Sequence, residues 1–145
     1  MLFRSLAVRP ASLLEAPVLA DMAGRMMFED LKEDPREVDP DGHLRLVGER
    51  IKAGRTYVGT EGGPIVFKVD IGTRLDRGCQ VGGTFVPPAL RGKGRSTAGM
   101  RALCRGLLRE IPMVTLHVNE ANVPAVRCYE TVGFERSAAF RLVSL

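Results

Sequence analysis

The sequence is poor in the side chains that most often bind metals or stack on nucleic acids. Its 145 residues contain no tryptophan, two tyrosines and two histidines, His43 and His117. The three cysteines, Cys79, Cys104 and Cys128, follow no metal-ligand spacing. We therefore expect no metal site. An odd set of cysteines fits a packing role in a reducing cytoplasm.

Long apolar runs are also missing, because charges interrupt every hydrophobic stretch. No transmembrane span is expected, and residues 1–10 are too short and too charged for a secretory signal. Apolar residues make up 45% of the chain and charged residues 26%, which is ordinary for a globular protein. We expect one cytoplasmic domain over residues 1–145, with its own core and no membrane partner.

Charge is distributed unevenly along the chain. Residues 29–41 hold seven acidic against two basic residues, net −5, and residues 91–145 hold nine basic against four acidic, net +5. Both could be plain solvated surfaces. They also suit a polyanionic ligand on the basic half and a cationic one near the acidic segment. Nucleic-acid binding is the weaker alternative, because no exposed aromatics alternate with the basic residues.

Hydrophobic periodicity and turn residues predict an α+β (mixed α/β) fold with one sheet. The order is strand, two helices, three strands joined by hairpins, helix, strand, helix, strand. The predicted strands cover residues 2–8, 56–60, 64–71, 79–86, 113–118 and 134–143. A capping box at Ser12 precedes a helix ending near Leu31, and Asp41 caps a helix ending near Ala53. Residues 34–40 and 72–78 are predicted loops, and Gly82-Gly83 indicates a bulge.

The predicted helices have apolar faces at helical spacing. The residues expected to face the core are Val18, Met22, Met26, Met27, Phe28, Leu44, Val47, Ile51, Met100, Leu103, Cys104, Leu107 and Ile111. Met26 to Phe28 could instead line a pocket.

Residues 86–100, VPPALRGKGRSTAGM, combine a strand end, a proline turn, a basic loop and a helix start at Ser96 or Thr97. The N–H groups of such a loop and helix start converge on an anion. Gly92 and Gly94 carry no Cβ, so a phosphate can approach the backbone closely. Positive charge around the loop comes from Arg91, Lys93 and Arg95.

This stretch resembles the pyrophosphate-binding signature of the GNAT N-acetyltransferase superfamily: Gln or Arg, two residues, Gly, one residue, then Gly or Ala, after a strand ending in Val-x-Pro. The matching residues are Val86, Pro88, Arg91, Gly92 and Gly94. Ser96 stands where Gly or Ala is usual, but serine is small and can cap a helix. Residues 122–134, NVPAVRCYETVGF, resemble the second signature of the same family. The matching residues there are Asn122, Ala125, Tyr129, Glu130, Gly133 and Phe134.

The resemblance covers residues 64–145 and points to bacterial predicted acetyltransferases that can carry a preceding second module. It implies a mixed, mostly antiparallel sheet that splays between its fourth and fifth strands, with acetyl-CoA as cosubstrate. Whether the chain works alone or as one module stays open. The residues that the resemblance assigns to cofactor binding are Phe85, Val86, Arg91, Gly92, Lys93, Gly94, Arg95, Ser96, Thr97, Asn122, Ala125 and Tyr129.

The same resemblance implies acetyl transfer to a primary amine by direct attack in a ternary complex. Tyr129 resembles the family tyrosine that protonates the departing CoA thiolate, although a packing role beside Cys128 is the alternative. The oxyanion donor would be a backbone N–H near Val86. A non-catalytic acyl-CoA sensor is the alternative function.

The general base, the acceptor and the oligomeric state stay open. His117 is a catalytic candidate because it is predicted on the strand beside the splay, from which it could accept a proton through water. The other candidates are Glu29, Glu33, Glu120 and ordered water alone. The acceptor amine is unnamed, although the acidic segment favours a cationic one. A homodimer is possible for many members of this family.

Overall fold

The computed structural model describes residues 5–138, and these form an open five-stranded sheet with helices on its two faces. The strands are β1 (Val8–Pro10), β2 (Thr56–Thr60), β3 (Ile65–Leu75), β4 (Gly78–Phe85) and β5 (Val114–Leu116). The helices are α1 (Ala16–Leu31), α2 (Pro35–Val38), α3 (Pro40–Lys52), α4 (Arg95–Leu107) and α5 (Val123–Val132), with short 3-10 turns at Leu13–Glu15 and Pro88–Leu90. None of the helices within residues 5–138 is long and apolar enough to cross a membrane.

The strands lie in chain order, β1-β2-β3-β4-β5. Neighbours are antiparallel except β4 and β5, which are parallel. The β4–β5 ladder covers only Cys79–Val114, Gln80–Thr115 and Val81–Leu116. Beyond Val81 the two strands have no further pair in the described part of the chain, so the sheet opens there. The predicted mixed sheet, splayed between its fourth and fifth strands, is confirmed.

Each face of the sheet carries its own apolar cluster. On the first, which we call the α4 face, Phe67 and Val69 of β3 pack with Met100 and Leu103 of α4. On the second, the α1/α3 face, Val58 of β2 and Ile65 and Phe85 pack with residues of α1 and α3. The members from those two helices are Ala16, Leu19, Ala20, Met22, Ala23, Val47 and Ile51.

The predicted inward face of α1 is confirmed at Met22 and Met26 and wrong at Val18 and Phe28. Met22 is buried, but Val18 and Phe28 are exposed, and Leu19 is the most deeply buried large residue of the helix. The reason is close packing by small residues: Ala20, Ala23 and Gly24 line the contact with α2 and α3. A Cβ on Gly24 would lie within 2.6 Å of Arg36 side-chain atoms, so the helix turns its small residues inward.

The segment between α1 and α3 also differs from the prediction. One turn of helix, α2, forms inside the predicted loop. Asp39 rather than Asp41 caps α3, accepting a hydrogen bond of 3.0 Å from the Gly42 N–H. His43 is buried in place of Leu44, because its ring nitrogen Nε2 lies 2.8 Å from the Ala20 carbonyl and this contact ties α3 to α1.

Several strand limits move as well. β1 includes Pro10, which an edge position allows because no N–H is required there, and residues 5–7 are not in a strand. β3 continues to Leu75 through the predicted turn, because pairing with β4 outweighs the turn signal of Gly72. Residues 134–138 form no strand, and the rest of the strand predicted to residue 143 lies outside the described residues.

The other helix features largely agree with the sequence. The Ser12–Glu15 capping box forms, Asn122 caps α5, and Gly133 ends it with a φ of 123°. α4 begins at Arg95 with Gly94 as cap, not at Ser96 or Thr97. The predicted inward residues Met100, Leu103, Cys104, Leu107 and Ile111 are all buried.

The Cys79 and Cys104 thiols are free and buried, and burial raises the pKa of Cys104 to about 11.

Helix α4 approaches the sheet closely at Gly99. A Cβ there would lie 2.5 Å from ring atoms of the fully buried Phe67. We expect Gly99→Ala to lower the free energy of unfolding by about 1–3 kcal/mol, because the core must repack. Gly106→Ala, on the same helix with nothing within 4 Å, is the matched control. It should be neutral or stabilising by up to about 1 kcal/mol. Urea denaturation measures both, and equal effects would contradict the close approach.

Candidate functional site

One extra residue in β4 shapes the splayed edge of the sheet. Lys68 pairs with Phe85 and Asp70 with Gly82, so two steps along β3 oppose three along β4. Gly83 takes the bulge conformation with a φ of 62°, which confirms the predicted bulge. Cys79 and Val81 lie on the α4 face, whereas Phe85 lies on the α1/α3 face. The bulge therefore reverses the side-chain alternation at the end of β4.

A buried ion pair fills the space below this bulge. Lys68 is 2% exposed, and its Nζ lies 2.8 Å from Asp70 Oδ2. The other carboxylate oxygen of Asp70 accepts a hydrogen bond of 2.8 Å from the Thr56 hydroxyl. A Cβ on Gly83 would collide with the Asp70 carboxylate. The absence of a side chain at Gly83 therefore leaves room for the carboxylate.

The strand end leads into a loop that turns twice through left-handed backbone. Phe85 and Val86 are buried, and the chain then passes the Pro88–Leu90 turn. Gly92 and Gly94 have φ values of 81° and 87°, and a Cβ on Gly92 would meet nothing within 4 Å. The helical ladder of α4 begins with the bond from the Ala98 N–H to the Gly94 carbonyl, 3.0 Å. The backbone N–H groups before Ala98 have no partner within the helix, and they point towards the loop that precedes α4.

Arg91 links this loop to the strand end and to α1. Its Nε donates to the Val86 carbonyl at 2.8 Å, and its guanidinium lies 5.1 Å from the centre of the Phe85 ring. Its outer nitrogen forms an ion pair with Glu29 at 3.0 Å. The Arg91 side chain therefore braces the strand end in this structure, and Glu29 is occupied by it.

The Arg95 guanidinium is directed into the fold. It is nine-tenths buried, donates to both oxygens of Glu61 at 2.6 and 3.1 Å, and donates to the Leu90 carbonyl at 2.9 Å. Glu61 belongs to the β2–β3 turn, so this pair fastens the loop to a hairpin. The hydrogen bond from Arg95 lowers the pKa of Glu61. Of the three predicted loop cations, Lys93 is exposed and has no ion pair among residues 5–138.

Helix α5 crosses the start of α4. The Thr97 hydroxyl lies 3.3 Å from Cys128 Sγ, and that sulfur lies 3.6 Å from the Ser96 hydroxyl. The Ser96 side chain thus contacts α5. The structure therefore accommodates a serine at the position where the signature usually has Gly or Ala.

Tyr129 on α5 faces the splayed end of β4. The ring packs on the α4-face cluster and meets Phe134 edge-on, with ring centres 6.1 Å apart. The Thr84 side chain is the polar neighbour of its hydroxyl on β4. Burial raises the pKa of this hydroxyl, and the neighbouring Thr84 side chain opposes the rise. Tyr129 is therefore protonated at neutral pH and lies where the sheet opens.

The remaining predicted residues lie between the end of β5 and the first turn of α5. Asn122 is exposed and caps α5, with its side-chain oxygen accepting from the Ala125 N–H at 3.3 Å. The amide nitrogen of Asn122 takes no part in this cap, and Ala125 is half-buried. His117 is exposed and directly follows β5, one residue beyond the parallel ladder.

The structure adds residues that the sequence did not single out for the site. These are Thr84, Lys68, Asp70 and Glu61. Lys68 pairs with Asp70 two residues away, but Asp70 also binds Thr56, 14 residues away, and Glu61 binds Arg95, 34 residues away. No local pattern reports such a pair. The only available signal was the Gly82-Gly83 doublet, which predicted the bulge but not what lies below it.

The fold and site together define a protein that can hold an anionic ligand at the start of α4, beside an opened sheet. Residues 24–134 match the family model for the Acetyltransferase (GNAT) family. This match covers more than half of the sequence, and the chain belongs to the GNAT acetyltransferase family.

Solved structures share the fold over nearly the whole chain. A predicted acetyltransferase with acetyl-CoA from Clostridium acetobutylicum is 15% identical, with 96% of each chain covered and a TM-score of 0.70. AAC(6')-Iy in complex with a bisubstrate analogue is 16% identical, with 97% of each covered and a TM-score of 0.72. A transcriptional regulator from Bacillus halodurans C-125 is 20% identical, with 97% of this chain and 99% of that one covered and a TM-score of 0.74. No curated protein matches in sequence.

The bulge can be tested with two glycines of matched backbone. Gly62 and Gly83 have φ values of 59° and 62°, but only Gly83 has a neighbour, Asp70, in the way of a Cβ. We expect Gly62→Ala to cost about 1–2 kcal/mol of left-handed strain. Gly83→Ala should cost about 1–3 kcal/mol more, because it also displaces the carboxylate. Denaturant unfolding of both variants measures the difference, and equal losses would refute the account of the bulge.

The Glu61–Arg95 pair makes a prediction about acid stability. The folded-state pKa of Glu61 is lowered, so its contribution is present above its unfolded pKa of about 4.3 and is lost as the pH falls. Melting temperatures of wild type should therefore fall more steeply between about pH 5 and about pH 3 than those of Glu61→Gln. Glu33→Gln, an exposed acid with no ion pair among the described residues, is the control. Parallel curves for wild type and Glu61→Gln would contradict the role of the pair.

Proposed function

We propose that this protein is an acetyl-CoA-dependent N-acetyltransferase that transfers the acetyl group directly to a primary amine. The observation that carries the proposal is the meeting of three features at one opening. These are the glycine loop that begins α4, the unpaired end of β4 and the half-buried hydroxyl of Tyr129. Family membership supports acyl transfer, and two of the structural neighbours are described with acetyl-CoA or a CoA-based analogue.

Each part of acetyl-CoA has a matching group in this chain. The backbone N–H groups of residues 92–97 suit the pyrophosphate, since Gly92 leaves open space where a side chain would stand. Lys93 adds exposed positive charge. The unpaired end of β4 at Phe85 and Val86 suits the amides of the pantetheine arm as an added strand. In this proposal the Asn122 amide and Ala125, at the start of α5, hold the arm from the other side. Arg91 acts as a brace of this strand end.

In the proposed chemical step, Tyr129 acts as the general acid. The bound thioester supplies an activated acetyl group, and the amine nitrogen attacks its carbonyl carbon. A backbone N–H near Val86 donates to the oxygen that becomes negative. As the carbon–sulfur bond breaks, the Tyr129 proton passes to the thiolate. The amine nitrogen loses one proton, through water or His117, so that the products are an amide and CoA thiol.

The acidic end of α1 favours a cationic acceptor. The negative charge of Asp30 contributes to the raised pKa of the Tyr129 hydroxyl, so the same charge would attract a cationic amine bound beside Tyr129. Glu33 follows three residues later, beyond the end of α1. Glu29 is paired with Arg91, which argues against its use as a base. AAC(6')-Iy, one of the structural neighbours, is described as an aminoglycoside N-acetyltransferase, which supports an amine acceptor of this kind.

A second candidate is a sensor that binds acyl-CoA without turnover. Its support is the structural neighbour described as a transcriptional regulator. The intact Tyr129 and Asn122 favour the enzyme.

The test combines melting temperatures with turnover. Acetyl-CoA at about 100 times its Kd should stabilise the fold by about 2.7 kcal/mol, which is a rise of several degrees. CoA thiol release over a panel of aminoglycosides, small diamines and lysine peptides should reveal an acceptor. Tyr129→Phe should keep the thermal shift and lose about a hundredfold or more in kcat.

A charge-matched pair of variants checks the location of the cofactor. Lys93→Glu should weaken acetyl-CoA binding, whereas Lys52→Glu, with the same change in net charge on α3, should not. A thermal shift without turnover on any acceptor would favour the sensor. No shift in wild type would exclude both functions, and full activity of Tyr129→Phe would remove only the general-acid role.

A further inference from the structure

Thr84 connects the bulge of β4 to the tyrosine on α5. It directly follows Gly83 and lies two residues before Val86. Its hydroxyl lies 3.9 Å from Met100 Sδ, which places the side chain on the α4 face. Tyr129 packs on the same face, and the Thr84 side chain is the polar neighbour of its hydroxyl.

This orientation of Thr84 depends on the extra residue in β4. In a regular strand, Phe85 would share the α4 face with Cys79 and Val81, and residue 84 would point the other way. The bulge at Gly83 reverses this order, because Phe85 lies in the α1/α3 cluster and Val86 in the α4-face cluster. A polar hydroxyl is thereby presented beside Tyr129.

We propose that Thr84 is a positioning residue for Tyr129: its hydroxyl donates to the tyrosine oxygen, directs the tyrosine proton towards the leaving sulfur, and stabilises the phenolate left behind. This inference rests on the proposed function, in which Tyr129 is the general acid. A threonine hydroxyl can fill this role without moving, because it can donate one hydrogen bond and rotate its proton to suit the partner.

The proton that Tyr129 gives to the thiolate is replaced by the proton that the amine loses. The O–H bond of Tyr129 breaks, an S–H bond forms on the departing thiolate, and the electron pair stays on the phenolate oxygen, where Thr84 donates its hydrogen bond. The attacking amine nitrogen must lose one proton to become an amide. That proton returns to the phenolate through water, which restores Tyr129 with no external acid.

The other groups around Tyr129 act in the opposite sense. Burial, Cys128 on the same helix and Asp30 on α1 all raise the pKa of the tyrosine hydroxyl. Thr84 is the neighbour that lowers it. A hydrogen bond to a charged oxygen is stronger than one to a neutral oxygen, so removal of the threonine hydroxyl should weaken the acid.

The composition of the chain allows a direct measurement on Tyr129. Tyr57 is the only other tyrosine and there is no tryptophan, so in a Tyr57→Phe background the phenolate absorbance reports Tyr129 alone. We expect Thr84→Val to raise the pKa of Tyr129 by about one unit and Thr84→Ser to leave it near the background value. The NMR signal of the labelled Tyr129 Cζ, recorded at neutral pH, should shift in Thr84→Val and return in Thr84→Ser.

Kinetics in the otherwise wild-type chain separate positioning from folding. Thr84→Val should lower kcat about tenfold with little change in the KM for acetyl-CoA, and Thr84→Ser should restore it. In Tyr129→Phe, the valine substitution should have no further effect. An unchanged Tyr129 signal, or the same loss with and without Tyr129, would overturn the role of Thr84. Full activity of Tyr129→Phe would instead overturn the general-acid assignment, and the titration does not depend on it.

Discussion

The buried ion pair between Lys68 and Asp70 is the constraint on which the open end of the sheet depends. Two charges below the helices are tolerated only while they neutralise each other. Removing one partner of such a pair typically lowers the free energy of unfolding by about 3–5 kcal/mol. The Asp70 carboxylate occupies the place where a side chain at position 83 would stand. This arrangement therefore requires glycine at the bulge, and the bulge in turn sets the direction of Thr84, Phe85 and Val86.

Ion pairs around the glycine loop at residues 91–95 have a comparable role. Glu61 binds Arg95 and Glu29 binds Arg91, so two of the three loop arginine or lysine residues are held by carboxylates from other elements. The charge that they would add to the proposed phosphate site is thereby reduced. In the proposed function, the backbone N–H groups and Lys93 would be the main source of attraction. Such a loop has a shape fixed by the protein rather than one that forms only around its ligand.

Much of the fold follows from local sequence. Turn residues and periodicity give the order of elements, the limits of β2, the cap of α5 and the buried face of α4, because each depends on neighbours within a few positions. Other features depend on distant contacts. α1 turns its small residues inward because α2 and α3 lie against it, and His43 is buried by its contact with Ala20. β3 continues beyond Gly72, where a turn was predicted, because it pairs with β4 there.

For the site, the sequence by itself determined the glycine loop before α4, the cap at Asn122, the position of Tyr129 on α5 and the presence of a bulge. These depend on residue types at fixed local spacing, and the two signatures preserve that spacing. Only the tertiary structure decided that the Arg95 side chain binds Glu61, that Arg91 binds Glu29 and that Thr84 meets Tyr129. The reason is physical: these contacts join residues 34, 62 and 45 positions apart. Their geometry exists only after the helices and the sheet have packed.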